Sequence, residues 1–500
     1  MTDITISGTM ALEGERFTPG SQPVDIHLSQ GRISAISPAG SRPAAGEVID
    51  GSGLLVAPGL VNGHHHSHEN FHKGRYDRLP LELWMNYVRP ARPLPLTAED
   101  VYLRTLIGGI QALHSGSTCI VDDFNASPVL IREHVDAALQ AYEDLGIRAL
   151  LGPTLFDRPF HRSVPFVDEE CSPEILRAFA AAESSPPDAY LGLLRELARE
   201  RHPRERRVGV IAAPSAPQRC TPDFLMQVRR LADEHDLPVI IHVQETRLQA
   251  ASAWHEHGKT LFRYLADLGF LTPATSLIHA VWLTPEDIAL IAGSGASVQH
   301  NPNSNLKLGS GLMPLRELLD AGVNVSLGTD GCGSIESTDM LRVVSNTALL
   351  HKLRGDAYNR WPGAEEAFAA GTRGGARALG LGDRLGMIAP GYAADLVLYR
   401  RDAISLTPLN NPLRQLVYAE SGQGIDTVIV DGRVVLRGGQ LACVDERALA
   451  GRIQAAGERL QPHIDASEQQ TERLRAPYER IWNRCRELPL APGTIPARLP

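Results

Sequence analysis

The chain has 500 residues, 43% of them hydrophobic and 21% charged, with a formal net charge of −9. Such a length buries a large core, enough for about two to four domains or one barrel with an accessory domain. The acidic balance argues against nucleic acid or an anionic membrane as partner, and no apolar run is long enough to span a bilayer.

Residues 1–57 read as short strands: "DITISGTMAL", "PVDIHLSQGRISAISP" and "GEVIDGSGLLVAPG" mix period-two alternation with turn residues. The first residues carry neither a basic nor a long apolar segment, so no signal peptide is expected. Between residues 58 and 384 the texture changes. Beginning with "LLVAPGLVN", the runs "STCIVDDF", "IRALLGPTLF", "RVGVIAAPSAP", "LPVIIHVQE", "ATSLIHAV", "GASVQHNP" and "GVNVSLGTDG" make eight apolar strand candidates. Helical stretches such as "TPDFLMQVRRLADEH" lie between them. Strands buried on both faces in repeated βα units indicate a parallel sheet. Eight such units suggest a closed (β/α)8 barrel, with a doubly wound open sheet as the alternative.

Residues 385–445 return to strand texture in "ADLVLYRR" and "IDTVIVDGRVVLRGG", where Asp431-Gly432 signals a hairpin. Neither terminal strand set buries a core alone, so the two are expected to pair into one β-domain. Residues 446–500 read as charged helices with a Pro-rich tail, packing on the barrel or on a second subunit. The six cysteines are scattered without a Cys-x-x-Cys pair, as suits reduced thiols in a cytoplasm.

The densest signal is "NGHHHSH", with four histidines in five positions at the end of an apolar run. It is either a solvated polar loop or part of a metal site. In a parallel barrel the reactive rim lies at the C-terminal strand ends, and other runs also end in polar residues there: "IIHVQE", "LIHA", "VQHNPNSN" and "SLGTDG". Strand alternation points His64 and His66 the same way and His65 the other. Three imidazoles, His64, His66 and His242, with the Asp330 carboxylate match the ligand types of a divalent transition metal that keeps a position open for water.

Together these elements resemble the amidohydrolase superfamily, in the branch of cytosine, guanine and S-adenosylhomocysteine deaminases and triazine hydrolases. The resemblance rests on "PGLVNGHHH", "HVQET", "SLIHAVWL", "HNPNSNLKLGSG", "LGTDGCGS" and "LGMIAPGYAADLVLYRRD", in family order over roughly residues 50–440. It implies a distorted barrel with a β-sandwich built from both chain ends, and a homodimer. It also implies one divalent metal on His64, His66, His242 and Asp330, zinc first, with Fe, Mn or Co suiting the same ligands. Water held there is acidified toward neutrality, and Asp330 accepts its proton. Glu245 would be the proton shuttle, and His279 an electrophile or second proton carrier. Strict alternation would turn Glu245 away from His242 and bring Gln244 to the site instead, so the strand has to end or kink near Val243. No lysine in "IAAPSAP" is placed to bridge two metals.

Two departures bear on substrate. Ser215 stands where nucleoside-handling relatives usually have His, which favours a free base, pterin or triazine over a ribose-bearing molecule. "SHENFHKGRYDRLPLELW" replaces the usual residues after the first metal motif, making His68, Glu69, Phe71, Arg75 and Trp84 pocket candidates, with a solvated helix face the alternative for Glu69 and Arg75. His300 either reaches substrate or makes a structural hydrogen bond, and Lys307 and Lys352 read as solvated charges. The expected activity is release of ammonia from an amino-substituted N-heterocycle. The alternatives are another leaving group (chloride, alkylamine, amide or carbamate) and, remotely, an inactive scaffold.

Overall fold

The computed structural model describes residues 3–89, 93–126, 128–182 and 185–497. The last three residues of the Pro-rich tail lie outside the described residues.

Each of the eight apolar runs contains a parallel strand, and these fall into two sheets. In one, Val208–Val210, Arg148–Leu155, Ser117–Phe124 and Leu60–His65 lie side by side, with Ala213–Pro214 also paired to Arg148–Leu155. In the other, the order is Val239–Val243, Thr275–His279, Ser297–His300 and Val325–Leu327. Inward side chains of both, including Val61, Val121, Leu150, Ile211, Ile240 and Ile278, share one apolar cluster, so the sheets curve around a common interior.

The expected closed barrel is not formed as one continuous ladder. The sheets meet at an isolated Ala212–Val239 bridge on one side and at the Asp330 N–H, which donates to the His64 carbonyl at 2.9 Å, on the other. Both seams have a local cause: Pro214 has no N–H to give a ladder, and Val325–Leu327 spans only three residues.

The first run also divides. Leu54–Pro58 joins a mixed sheet, whereas Leu60–His65 begins the parallel one. The break is at Gly59, where a Cβ would collide with the Thr118 side chain. The mixed sheet unites the chain ends as expected, because Leu54–Pro58 pairs on one edge with Ile4–Glu13 and on the other with Leu396–Arg400. Ile4–Glu13 is bulged near Gly8 (φ 63°) and passes from Val24–Ser29 to Leu54–Pro58. The folded sheet encloses Ile6, Ile26, Val56, Leu396 and Ile429. Asp431 and Gly432 both have positive φ, 51° and 73°, as a two-residue hairpin turn matched to strand twist requires.

A buried ion pair bolts the parallel and mixed sheets together. Arg148 Nε and Nη2 donate to the Asp395 carboxylate, both at 3.0 Å, and Nη2 also reaches Asp431 at 3.1 Å. Removing one partner strands a buried charge, so Asp395→Ala is expected to destabilise the protein by about 3–5 kcal/mol. Urea unfolding should show this, with partial recovery when Arg148→Met is added. An unchanged midpoint in Asp395→Ala would refute the bolt.

The C-terminal segment is a single helix, Glu446–Glu487, that continues through Pro462 and Pro477. It packs on this chain itself, against Leu81–Val88 and Arg247–His257, and is tied down by Tyr87 to Glu472 at 2.7 Å and Arg75 to Asp465 at 2.7 Å. Among the described residues no helix is long and apolar enough to cross a membrane.

Candidate active site

His64, His66, His242, His279 and Asp330 converge at one end of the parallel strands. His64 and His66 lie on one face of the first strand and its extension, their ring centroids 4.6 Å apart, and His242 lies 4.9 Å from His64. Asp330 follows the last strand in a left-handed conformation (φ 69°), which brings its Oδ1 to 3.5 Å from His64 Nε2 and 3.4 Å from His66 Nε2. His65 points the other way, its Nδ1 lying 3.0 Å from the Asp330 carbonyl.

The hydrogen bonds select tautomers. His66 Nδ1 donates to the Asp123 carbonyl and His242 Nδ1 to the Ser215 carbonyl, each at 2.8 Å. Each ring is therefore left with Nε2 as a free acceptor, the arrangement metal-ligating histidines usually show. Burial, reinforced by neighbouring histidines, pulls His66 and His242 well below the usual imidazole range, which favours the neutral form that can ligate a metal. His64 is fully buried and, among the described residues, neither ring nitrogen has a hydrogen-bond partner. Such orphaned polar atoms are costly, and a cation resolves the cost. Two groups sharing His64 have ligand atoms within 4.8 Å of one another: His64, His66, Asp123 and His242, and His64, His279 and Asp330. The donor set fits a divalent ion. Burial opposes ionisation of Asp330, but the adjacent His64 ring outweighs it and holds the carboxyl well below its ordinary value.

Asp123 is a residue the sequence reading missed. Its only linear signal is a carboxylate near the end of a buried strand, in "VDDF". Thr154 donates to its Oδ1 at 2.5 Å, and its Oδ2 lies 3.7 Å from His242 Nδ1.

The strand carrying His242 ends at Val243, and Gln244 takes a left-handed turn (φ 45°). Gln244 thereby faces the wall, donating to the Trp282 carbonyl and accepting from Leu261 N–H at 2.6 Å. Glu245 faces the cavity instead. Its Oε1 accepts from Ser310 at 3.3 Å, and its Oε2 lies 3.4 Å from His279 Nε2. Burial, with Asp330 and Glu82 nearby, pushes the Glu245 carboxyl well above the ordinary carboxylate range. His279 Nδ1 is held by Asn305 Oδ1 at 3.0 Å, while Nε2 is also 3.8 Å from Asp330 Oδ2. Burial lowers His279 to about 4, leaving it neutral at physiological pH.

These groups border a cavity of about 70 Å³ whose wall includes Trp84 and Ser215. Trp84 is fixed by its indole N–H to the Gly333 carbonyl at 3.2 Å. Glu69 also lies on this wall, 1% exposed, and accepts from Gly333 N–H at 3.2 Å, so the solvated helix face is excluded for it. His68 borders the adjoining cavity, its Nε2 3.8 Å from Glu69 Oε1. His300 is off both walls, its Nε2 3.0 Å from that of His351. Arg75 is tied to the C-terminal helix, and Phe71 packs against the main core. Lys307 and Lys352 are engaged rather than simply solvated, on Glu336 and over the Tyr418 ring respectively. Arg89 and Glu82, not anticipated, complete the cavity wall.

Comparison with known proteins agrees with this geometry. Residues 55–435 match the Amidohydrolase family. The chain is 35% identical over 459 residues to a 5'-deoxyadenosine deaminase of Methanothermobacter thermautotrophicus, covering 91% of this chain and 98% of that one. It is 34% identical to a 5-methylthioadenosine/S-adenosylhomocysteine deaminase of Thermococcus kodakarensis, covering 82% and 89%. Among solved structures, an adenosine deaminase from Xanthomonas campestris with bound zinc superposes with a TM-score of 0.81 at 30% identity, over 92% of this chain and 99% of that one. A zinc-bound atrazine chlorohydrolase from Arthrobacter aurescens, at 23% identity and a TM-score of 0.81 over 91% and 100%, shares the fold.

Proposed function

The chain belongs to the amidohydrolase family, and from that premise we propose that it is a metal-dependent aminohydrolase using Glu245, His279 and Asp330 to release ammonia from an amino-substituted N-heterocycle. One observation carries the reading. The Glu245 carboxyl, pushed well above the ordinary carboxylate range by burial, stands 3.4 Å from His279 and shares a cavity with Asp330, His66 and His242.

The metal would be held by His64, His66, His242 and Asp330, where it would supply a Lewis acid that makes water nucleophilic near neutral pH. Asp330, ionised and acceptor-only, takes the proton that the attacking water gives up. Glu245 protonates the ring nitrogen beside the attacked carbon, which draws electrons out of the ring. The proton taken up by Asp330, relayed through the emptied Glu245 carboxylate, then goes to the departing amine, so ammonia rather than amide ion leaves. The proton lost as the new hydroxyl becomes a carbonyl restores Glu245. His279, its Nδ1 proton given to Asn305 Oδ1, presents the Nε2 lone pair 3.4 Å from Glu245 Oε2 and serves as the second proton carrier. In this reading the two parallel sheets serve as one distorted barrel that presents these groups on one rim.

The substrate ring is approached from two sides. The named relatives act on adenine nucleosides, whereas Ser215 places a small side chain on the cavity wall and spends its carbonyl on His242. The test is ammonia release from metal-loaded protein across adenosine, 5'-deoxyadenosine, cytosine, guanine, 8-oxoguanine, pterins and aminotriazines. At least one is expected to turn over. If all are inert while chloro-, alkylamino- or carbamate-bearing analogues are hydrolysed, the aminohydrolase reading fails and the other leaving groups stand.

A further inference from the structure

A second cavity, about 840 Å³, adjoins the catalytic one and shares Arg89, Phe160 and Arg219 with its wall. Arg104 also lines it. Elsewhere in the chain buried or half-buried arginines sit on carboxylates, as Arg148 does on Asp395 and Arg207 on Glu143. Among the described residues, no carboxylate lies within 4.0 Å of Arg89, Arg104 or Arg219.

Each of the three is held without being neutralised. Arg104 is only 7% exposed, has no partner for Nε and lies 5.6 Å from the centre of the Phe124 ring. Arg219 is 6% exposed, gives Nε to the Arg158 carbonyl at 3.1 Å and stacks on Phe156 at 4.4 Å. Arg89 is half-buried and, among the described residues, its Nε has no partner either. Burial lowers Arg104 to about 10 and Arg219 to about 9, so both remain cationic at neutral pH.

The acids whose charge reaches them are already engaged. Asp122, near Arg104, accepts from Ser67 N–H and from the Tyr142 hydroxyl, both at 2.9 Å, and Asp100 is paired with Arg459. Asp123, near Arg219 and Arg89, accepts from Thr154 at 2.5 Å, and Glu69, near Arg89, accepts from Gly333 N–H at 3.2 Å. A buried cation without a counter-ion is expensive, and guanidinium groups recognise carboxylate and phosphate through paired, charge-assisted hydrogen bonds. The catalytic cavity itself has room for little beyond the reacting edge of a ring.

We propose that the substrate is an aminoheterocycle bearing a carboxylate or phosphate, with the ring edge in the catalytic cavity and the acid held in the adjoining chamber by Arg89, Arg104 and Arg219. This rests on the aminohydrolase reading and adds the substrate's charge to it. Calorimetric titration of metal-loaded protein with two matched pairs tests it: adenosine against adenosine 5'-monophosphate, and pterin against pterin-6-carboxylate. In at least one pair the acid is expected to bind about tenfold more tightly than its neutral parent or better, and the pair that responds distinguishes phosphate from carboxylate. Arg89→Gln and Arg219→Gln should each bring that ratio close to one without changing metal content. Arg89 is half-buried, so its variant remains informative if Arg219→Gln does not fold.

Neutral parents that bind as tightly as their acids in both pairs overturn the proposal, as does an acid preference that survives the substitutions. Ammonia release from neutral members with no acid preference removes the anion chamber and leaves the aminohydrolase reading intact. Arginine-dependent binding of an acid with no ammonia from any compound does the reverse.

Discussion

His242→Ala and Asp330→Ala are each expected to strip the divalent metal from the protein and to abolish turnover. His242 stands on the first strand of its sheet and Asp330 follows the last, so neither stands in for the other, and among the described residues neither ring nitrogen of His64 has a hydrogen-bond partner. Losing the His242 ring removes the side-chain donor to Ser215's carbonyl, which keeps only the residue 242 backbone N–H, and opens one corner of the cluster. Losing Asp330 removes the carboxylate that lies 3.5 Å or less from two of the imidazoles and within 3.8 Å of a third. Changes behind metal ligands typically cost about 10–100-fold in affinity or activity, and loss of a ligand itself should exceed that. His300→Ala is the contrast, since His300 pairs with His351 away from the cluster and its loss should leave metal content unchanged. Elemental analysis decides: a full metal complement with normal turnover in both ligand variants would sink the assignment.

The convergence of His64, His66, His242 and Asp330 was legible in the sequence because they stand at equivalent places, the ends of buried parallel strands. Recurrence across βα units carried information that a lone His-x-His lacks. Other features depend on contacts made across the chain. Glu69 reads equally as a pocket group or as part of a solvated helix face, and only the fold decides, since Ser67–His72 is largely buried and delivers the carboxyl to Gly333. Arg89, Arg104 and Arg219 are ordinary surface residues by type, and only the fold shows that they lack counter-ions around one chamber. Ring closure was over-read for a similar reason. Eight strand runs are a linear pattern, whereas the hydrogen bonds at the two seams depend on Pro214 and on how soon the chain leaves Val325–Leu327. The break at Gly59 depends on Thr118, far away in sequence.

The position of Glu245 shows what a single backbone angle decides. With an extended Gln244, alternation would have put an amide in the cavity and the carboxyl in the wall. The left-handed Gln244 (φ 45°) reverses this, and the Gln244 amide is consumed by Trp282 and Leu261. Glu245→Gln is therefore expected to preserve fold, metal content and the contact with Ser310, because the amide oxygen still accepts there. What it removes is the proton. Losing a positioned acid that serves both the ring nitrogen and the leaving amine should lower kcat by about 10²–10⁴-fold, with KM little changed. Asn305→Ala should do less, since it frees His279 to rotate but leaves both acids in place. Steady-state ammonia release, measured beside metal analysis on the same samples, separates the two effects. If Glu245→Gln turns over like the unaltered protein while holding its metal, the proton comes from elsewhere, and His279, 3.4 Å away, is the next group to test.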